Sequence, residues 1–289
     1  MHEFLEKTEA EKGFAQIWAD KVSGHLESGI RRHQALLKQT SWHVLGILIW
    51  MIGGTYLVFQ LDLGDQMLAI TLLALMSVVA GWAHWVQKPL TAFEEQTESV
   101  LEEMLFEHFD LAPTDSAAVM ERFDQIRKTM DLRKRGSFEV EFCAQFDGVD
   151  LSVIRETISN SKGADTTIRR LVLQWQADEP MEFRIKPQGE LRQLFGSMRG
   201  ARRTWVAEGI SEPQAQLFDE LLAVLGQSKG RLDDKPQLYA LAEQWERTVL
   251  VEFLPDFLGE RLVRKGPKYL EAAARRSIAE FAAIRRLVA

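Results

Sequence analysis

Two uncharged stretches, separated by four residues, constrain this chain more than any other feature. Trp42 to Leu61 is a run of twenty residues without a formal charge, and Gln66 to Val86 is a run of twenty-one. At about 1.5 Å of rise per residue, each is long enough to cross a hydrocarbon core of roughly 30 Å as a helix. Asp62-Leu63-Gly64-Asp65 between them is short enough to be only a turn. The competing arrangement is a helical hairpin buried in a soluble core. Such a hairpin keeps a polar stripe where it meets water, whereas Gly46–Ile52 and Leu72–Ala80 are apolar on every side. The first run begins some forty residues in and is followed by a second, unlike a cleaved signal peptide.

Basic residues orient the pair. Arg31, Arg32 and Lys38 precede the first run and Lys88 follows the second, while the turn carries two aspartates. The excess of cations on the cytoplasmic side of a membrane then places both termini in the cytoplasm. Trp42, Trp82 and Trp85 fall at the same inner boundary, where an indole prefers to sit. Folding the hairpin about its turn sets Gly46 level with Gly81, Trp50 with Ser77 and Gly53 with Ala74. Small residues at matched depth let helices approach closely in lipid, so Gly46, Gly53, Ala74, Ser77 and Gly81 are the expected packing positions. The same folding sets His43 level with His84, weak candidates for a shared metal or haem. Two interfacial histidines beside an aromatic belt is the plainer reading, and no cofactor or metal is expected.

The rest of the chain divides around this hairpin. Residues 1–41 read as a cytoplasmic amphipathic helix, with Phe14, Trp18, Val22, Leu26, Ile30, His33 and Leu37 three or four apart over 3–40. The spans occupy 42–61 and 66–86. Within 87–135, Pro89 is read as a break, and 90–110 resumes as an acidic stalk helix with seven carboxylates and no Lys or Arg. A shorter helix follows over 116–132, capped by Asp115 or Ser116.

Residues 136–255 read as a cytoplasmic α+β domain. Phe138, Val140, Phe142 and Ala144 alternate with polar neighbours, as on one face of a strand. Asp147-Gly148 is a hairpin signal, and 149–158, 168–176 and 181–185 continue an antiparallel meander, the last two strands joined at Asp178-Glu179-Pro180. Thr204 to Val206 is a candidate further strand. Glu212-Pro213 opens a helix that stops at Gly226. Residues 238–254 are ambiguous, helical in the first half and strand-like from Thr248. Residues 256–289 form a basic amphipathic helix in which Leu270, Ala274, Ser277, Phe281, Ile284 and Val288 alternate by four and three. Docking on the domain, self-association and lying on the anionic leaflet are all compatible with that stripe. The fold class is therefore an α+β membrane protein: a two-helix transmembrane hairpin, a helical stalk, and a cytoplasmic domain built on an antiparallel meander plus helices.

Chemistry is harder to find. All six histidines lie in the first 108 residues, so the soluble part has no imidazole base or ligand. Cys143 is the single cysteine and excludes an internal disulfide, in keeping with a reducing cytoplasm. A net charge of −7 gives no global attraction to nucleic acid. Arg192, Arg199, Arg202 and Arg203, with Gly196 and Gly200 freeing the backbone, form the one candidate loop for an anionic ligand: a phospholipid headgroup, a nucleotide or nucleic acid. Asp233-Asp234, or Asp147 with Asp150, would be the carboxylates of a metal-dependent enzyme, though aspartate is common at turns for backbone reasons.

The two early spans, the acidic helix and a meander reading Phe146-Asp147-Gly148-Val149-Asp150-Leu151 and then Arg169-Arg170-Leu171-Val172-Leu173 together resemble the two-span bacterial membrane family catalogued as domain of unknown function 3137. The resemblance covers roughly residues 10 to 255 and lies in the order of elements. Where that family carries a glycine after the arginine of the third strand, this chain has Leu171. It implies a bacterial inner-membrane protein of unassigned activity and supplies no catalytic residues. The leading expectation is a non-enzymatic scaffold or sensor in the bilayer, a homo-oligomer or the binder of a membrane or cytoplasmic protein. The alternative is anionic-ligand binding by the Arg192–Arg203 loop.

Overall fold

The computed structural model describes residues 3–22, 26–60, 65–130, 132, 136–159, 165–187, 205–226, 236–252, 254, 257–258, 260–263 and 265–289. The protein is α+β, with two long apolar helices and an eight-stranded antiparallel sheet. It divides into two compact units. One comprises residues 1–6, 13–104 and 260–273; the other comprises 7–12, 105–259 and 274–289.

In the first unit, α1 (Phe14–Lys21) is followed by α2 (Leu26–Gln60) and α3 (Asp65–Phe109). The single helix expected over 3–40 is not formed. Residues 3–12 carry only a 3-10 turn at Glu9–Glu11, and α1 starts after Gly13, whose φ of +87° a helix cannot continue through. The Glu6 carboxylate then accepts from the Gly13 and Ala15 amides at 2.8 and 3.0 Å, satisfying donors that an α-helix start leaves open. Phe4, Phe14 and Trp18 pack ring on ring beneath it. Pro89 does not end a helix either. α3 runs through it unbroken, so the acidic stalk is the same helix as the second apolar run. Proline inside a helix removes one hydrogen bond, here the one to the carbonyl of Trp85, and a long helix absorbs that loss.

Only 11% of the most apolar window of α2, and 6% of that of α3, is buried by the protein. Ile49, Ile52, Leu57, Leu73 and Met76 are all more than three-fifths exposed. The core helix of a soluble domain would show the opposite. Where α2 and α3 touch, the pairing is one to two residues out of step with the expected levels. Trp82 covers Gly46, and Leu75 presses on Gly54, where a Cβ would sit 2.9 Å from its Cδ1. Gly53 and Gly81 face open space, and Ala74 and Ser77 are exposed, so of the five expected packing positions only Gly46 lies at the contact. Bulky Leu75 and Trp82 fill the seam instead.

In the second unit, β1 (Ala112–Pro113), β2 (Ser137–Phe146), β3 (Val149–Ser159), β4 (Asp165–Gln176), β5 (Phe183–Pro187), β6 (Trp205–Glu208), β7 (Gln237–Glu243) and β8 (Glu246–Glu252) lie in the order β1-β2-β3-β4-β8-β7-β5-β6. Asp147 and Gly148, both with positive φ, make the two-residue turn that pairs Phe146 with Val149. The meander stops at β4. The hairpin β7–β8 inserts between β4 and β5, so the strands expected to be joined as neighbours at Asp178–Pro180 are not paired. Residues 237–243, which overlap the helical-looking first half of 238–254, are a strand whose alternate side chains, Leu238, Ala240 and Ala242, are buried.

Each sheet face has its own helix. α4 (Ser116–Thr129), capped by Asp115 accepting from the Ala117 amide at 3.0 Å, covers one face with Val119, Phe123 and Ile126 against Ile154, Val172 and Leu250. A register shift between Val140 and Phe142 changes the expected alternation of β2. One extra residue turns every later side chain over, so Phe138 and Val140 join Cys143 on the α4 side. The thiol of Cys143 donates to the Thr114 carbonyl at 3.0 Å, and burial raises its pKa. Phe142 instead meets Phe106 and Phe257.

The last helix, α7 (Leu270–Val288), follows α5 (Glu212–Leu225) and the short α6 (Glu260–Val263). Phe281 is fully buried against Phe109, Phe146 and Phe257, with ring centroids 4.7, 5.8 and 6.1 Å away. Leu270, Ala274, Ser277 and Ile284 are buried as well, and only Val288 at the end is partly exposed. The stripe read as a self-association seam is thus covered by its own chain. Glu280, wholly buried, accepts from the Leu258 amide at 2.9 Å and from Arg276 at 3.0 Å. Arg275 reaches Glu11 at 2.8 Å.

Phe281→Ala removes the centre of this four-ring cluster and should cost about 3–5 kcal/mol, read as a lower urea midpoint of the intact chain in detergent. Val288→Ala, at the frayed end, should leave the midpoint unchanged.

Candidate functional site

Four candidate sites stand out in the sequence, and the structure treats them differently. Arg192, Arg199, Arg202 and Arg203 lie outside the described residues, as do Asp233 and Asp234. The strands flanking the arginines fix only where that segment leaves and returns, at the register pair Pro187 and Trp205. His43 and His84 are not brought together. The His43 ring stands edge-on to Trp82 and Trp85, at 6.1 and 6.2 Å, while His84 is exposed. Asp147 and Asp150 are each taken by an arginine, Asp147 by Arg285 at 2.8 Å and Asp150 by Arg122. Among the described residues, no group of three or more His, Cys, Asp or Glu is arranged to hold a metal ion.

What the sequence did not suggest is a groove of about 990 Å³ at the free end of the β7–β8 hairpin. It is lined by Glu182 and Arg184 at the start of β5, Glu208 at the end of β6, and Glu243, Trp245 and Glu246 at the hairpin turn. All six are exposed, so four carboxylates stand against one guanidinium in a solvated cleft. Trp245 leaves 49% of its surface open at the tip. Negative potential beside an open indole face favours a cationic group, by Coulomb attraction and by the ring quadrupole.

The walls are built from behind by Arg247, which is buried. Its guanidinium donates to three backbone carbonyls: Glu179 at 2.7 Å, Gln244 at 2.8 Å and Glu246 at 3.2 Å. It therefore ties the 177–182 turn to the hairpin tip, as do the Ala177 amide to Trp245 and the Met181 amide to Gln244, at 2.8 and 2.9 Å. Burial lowers the Arg247 pKa, though not enough to discharge a guanidinium near neutral pH. Gly209, with φ +77°, lets β6 pass so close to Glu182 that a Cβ would lie 2.5 Å from its carbonyl oxygen. The signal for this groove in sequence was slight: a Glu-Gln-Trp-Glu run legible as a turn only once 237–243 is known to be a strand.

A second feature missed by sequence is a charge cluster under α4. Arg170 donates to Glu252 through Nε and forms an ion pair with Glu156 through Nη2, both at 2.8 Å, and lies 5.8 Å over the Phe138 ring. Glu156 also accepts from the Gly136 amide at 2.8 Å, and the Tyr239 hydroxyl donates to Glu252 at 3.4 Å. The cluster joins β3, β4, β7 and β8 at one level and holds the sheet from which the groove hairpin extends. Alternation did place Arg170 on the same side as Val172, an inward position for a charge.

Comparison of the chain with protein-family models, with curated proteins and with solved structures finds no match.

Arg170→Met leaves two buried carboxylates without their counter-charge and should cost about 3–5 kcal/mol. Arg247→Met, which unties the groove rim, should lower stability by about 2 kcal/mol, whereas Trp245→Ala should change it by less than about 0.5 kcal/mol. Urea titrations of the three variants against the parent chain separate these outcomes.

Proposed function

We propose that this chain is a non-enzymatic scaffold or sensor anchored in a bacterial inner membrane, with α2 and α3 as the spanning pair and both termini in the cytoplasm. Its sheet domain would engage a protein partner through the Trp245 groove. The observation that carries the anchoring is the exposure of α2 and α3: two long helices whose apolar side chains the protein leaves uncovered. In water that surface would drive aggregation, whereas in a bilayer it is solvated by lipid tails. The basic residues flanking the helices support the orientation, and the resemblance to a two-span family agrees with it. The groove supports the partner reading, with a basic or otherwise cationic segment as the matching chemistry.

Self-association through α7 loses its support, because the helix spends its apolar stripe on its own domain. The absence of histidine after position 108 supports a non-catalytic role.

Two measurements test the proposal. The chain should stay in the membrane pellet through alkaline carbonate washing and leave only with detergent; release by carbonate would end the anchoring idea. A photo-cross-linking residue at position 208 should capture a discrete partner in cells. That product should vanish with Trp245→Ala combined with Glu243→Lys and Glu246→Lys, while membrane retention stays intact. An unchanged cross-link in the triple variant would remove the groove from the reading.

A further inference from the structure

Among the described side chains of α2, one ionisable group is buried: His33, only 6% exposed. It sits nine residues before Trp42, in the stretch marked by Arg31, Arg32 and Lys38, outside the uncharged run. The ring stacks on Phe93 of α3, with centroids 5.7 Å apart. Gly266 closes over it. That residue has φ +112°, and a Cβ there would lie 2.4 Å from His33 Cε1, so only glycine lets the backbone come this near. Gly266 belongs to a strap, whose described residues are 260–263 and 265–269, made of α6 and the 3-10 turn Pro267–Tyr269. The strap is moulded onto the imidazole.

Nε2 of His33 is buried and has no hydrogen-bond partner among the described residues. A neutral imidazole tolerates this, because an unshared acceptor nitrogen carries no net charge. An imidazolium there would hold a charged N–H with nothing to accept it, a costly arrangement in a buried site. The charged groups around the ring do not compensate. Glu94 on α3 favours the protonated form and Lys268 on the strap opposes it. From α2 itself, Arg32 adds a second cation, held 5.7 Å over the Phe93 ring, and Lys265 of the strap is turned to Tyr269 at 6.0 Å. Burial is the largest influence and lowers the pKa of His33, with Lys268 acting in the same direction.

We propose that His33 is a pH-sensitive latch that, while neutral, holds the 260–269 strap against α2 and α3, and on protonation lets it go. Above about pH 6.5 the imidazole is neutral whether the strap is docked or free, and docking is at full strength. Below that, the released form takes up the proton more readily than the docked one. Docking therefore weakens as pH falls, by up to about tenfold per pH unit, until the docked ring is itself protonated.

The test is hydrogen exchange of the strap amides in the full chain in lipid nanodiscs, between pH 8 and pH 5.5, expressed as protection relative to the free peptide. In the parent chain, protection should be flat above about pH 7 and fall below about pH 6.5. His33→Phe should abolish that fall. Glu94→Gln should deepen it, because the docked ring then protonates less readily, and Lys268→Met should make it shallower. If His33→Phe fails to fold, the two charge variants decide the matter, since neither alters the stacking of the ring. Protection independent of pH in the parent, a fall that persists in His33→Phe, or charge variants without opposite effects would overturn the latch.

Discussion

The packing of Phe281 against Phe109, Phe146 and Phe257 is the contact on which the rest of the sheet domain depends. It joins the end of α3, the first long strand, the segment after the last strand, and the C-terminal helix. These positions are far apart in sequence, so the cluster forms only when the sheet is assembled. It closes one face of that sheet, as α4 closes the other. A twisted antiparallel sheet with both faces covered has its remaining freedom at strand ends and edges. The Trp245 groove lies at such an end.

That location explains how a solvated, acidic cleft coexists with a tightly packed domain. The groove side chains are exposed and cost nothing to leave unpaired. The backbone beneath them is held by Arg247, whose buried guanidinium satisfies three carbonyls of two separate turns. The Arg170 cluster works one layer deeper. Its two carboxylates and one cation cross-link strands whose order in the sheet is not their order in the chain. Burying such groups is unfavourable in itself, and in the observed register the single guanidinium meets both carboxylates.

The first unit follows a different logic. Its two apolar helices expose their hydrophobic side chains and touch one another through Gly46, Gly54, Leu75 and Trp82. The charged side-chain contacts of this unit, including the Glu6 cap on α1 and the Lys21–Glu103 pair at 3.0 Å, lie beyond the uncharged runs. His33 belongs with them: a titratable ring shielded by one glycine that has no side chain.

Sequence alone determined the features that depend on composition and local period: two uncharged runs long enough to span, a helix cap at Asp115 or Ser116, the Asp147-Gly148 turn and the strands on either side of it, and the amphipathic last helix. Each follows from neighbours within a few residues, and so each was legible. Tertiary structure alone decided which strands pair, because the insertion of β7–β8 beside β4 is a contact across some eighty residues with no local signature. It decided that α7 docks on its own sheet, since a stripe of apolar residues does not say what will cover it. It also turned Phe142 away from Val140, through one extra residue in a strand, and set the α2–α3 contact one to two residues from where a symmetric fold about the turn would put it. The groove was illegible for the same reason: its walls come from three separate segments of chain, and only the sheet brings them together.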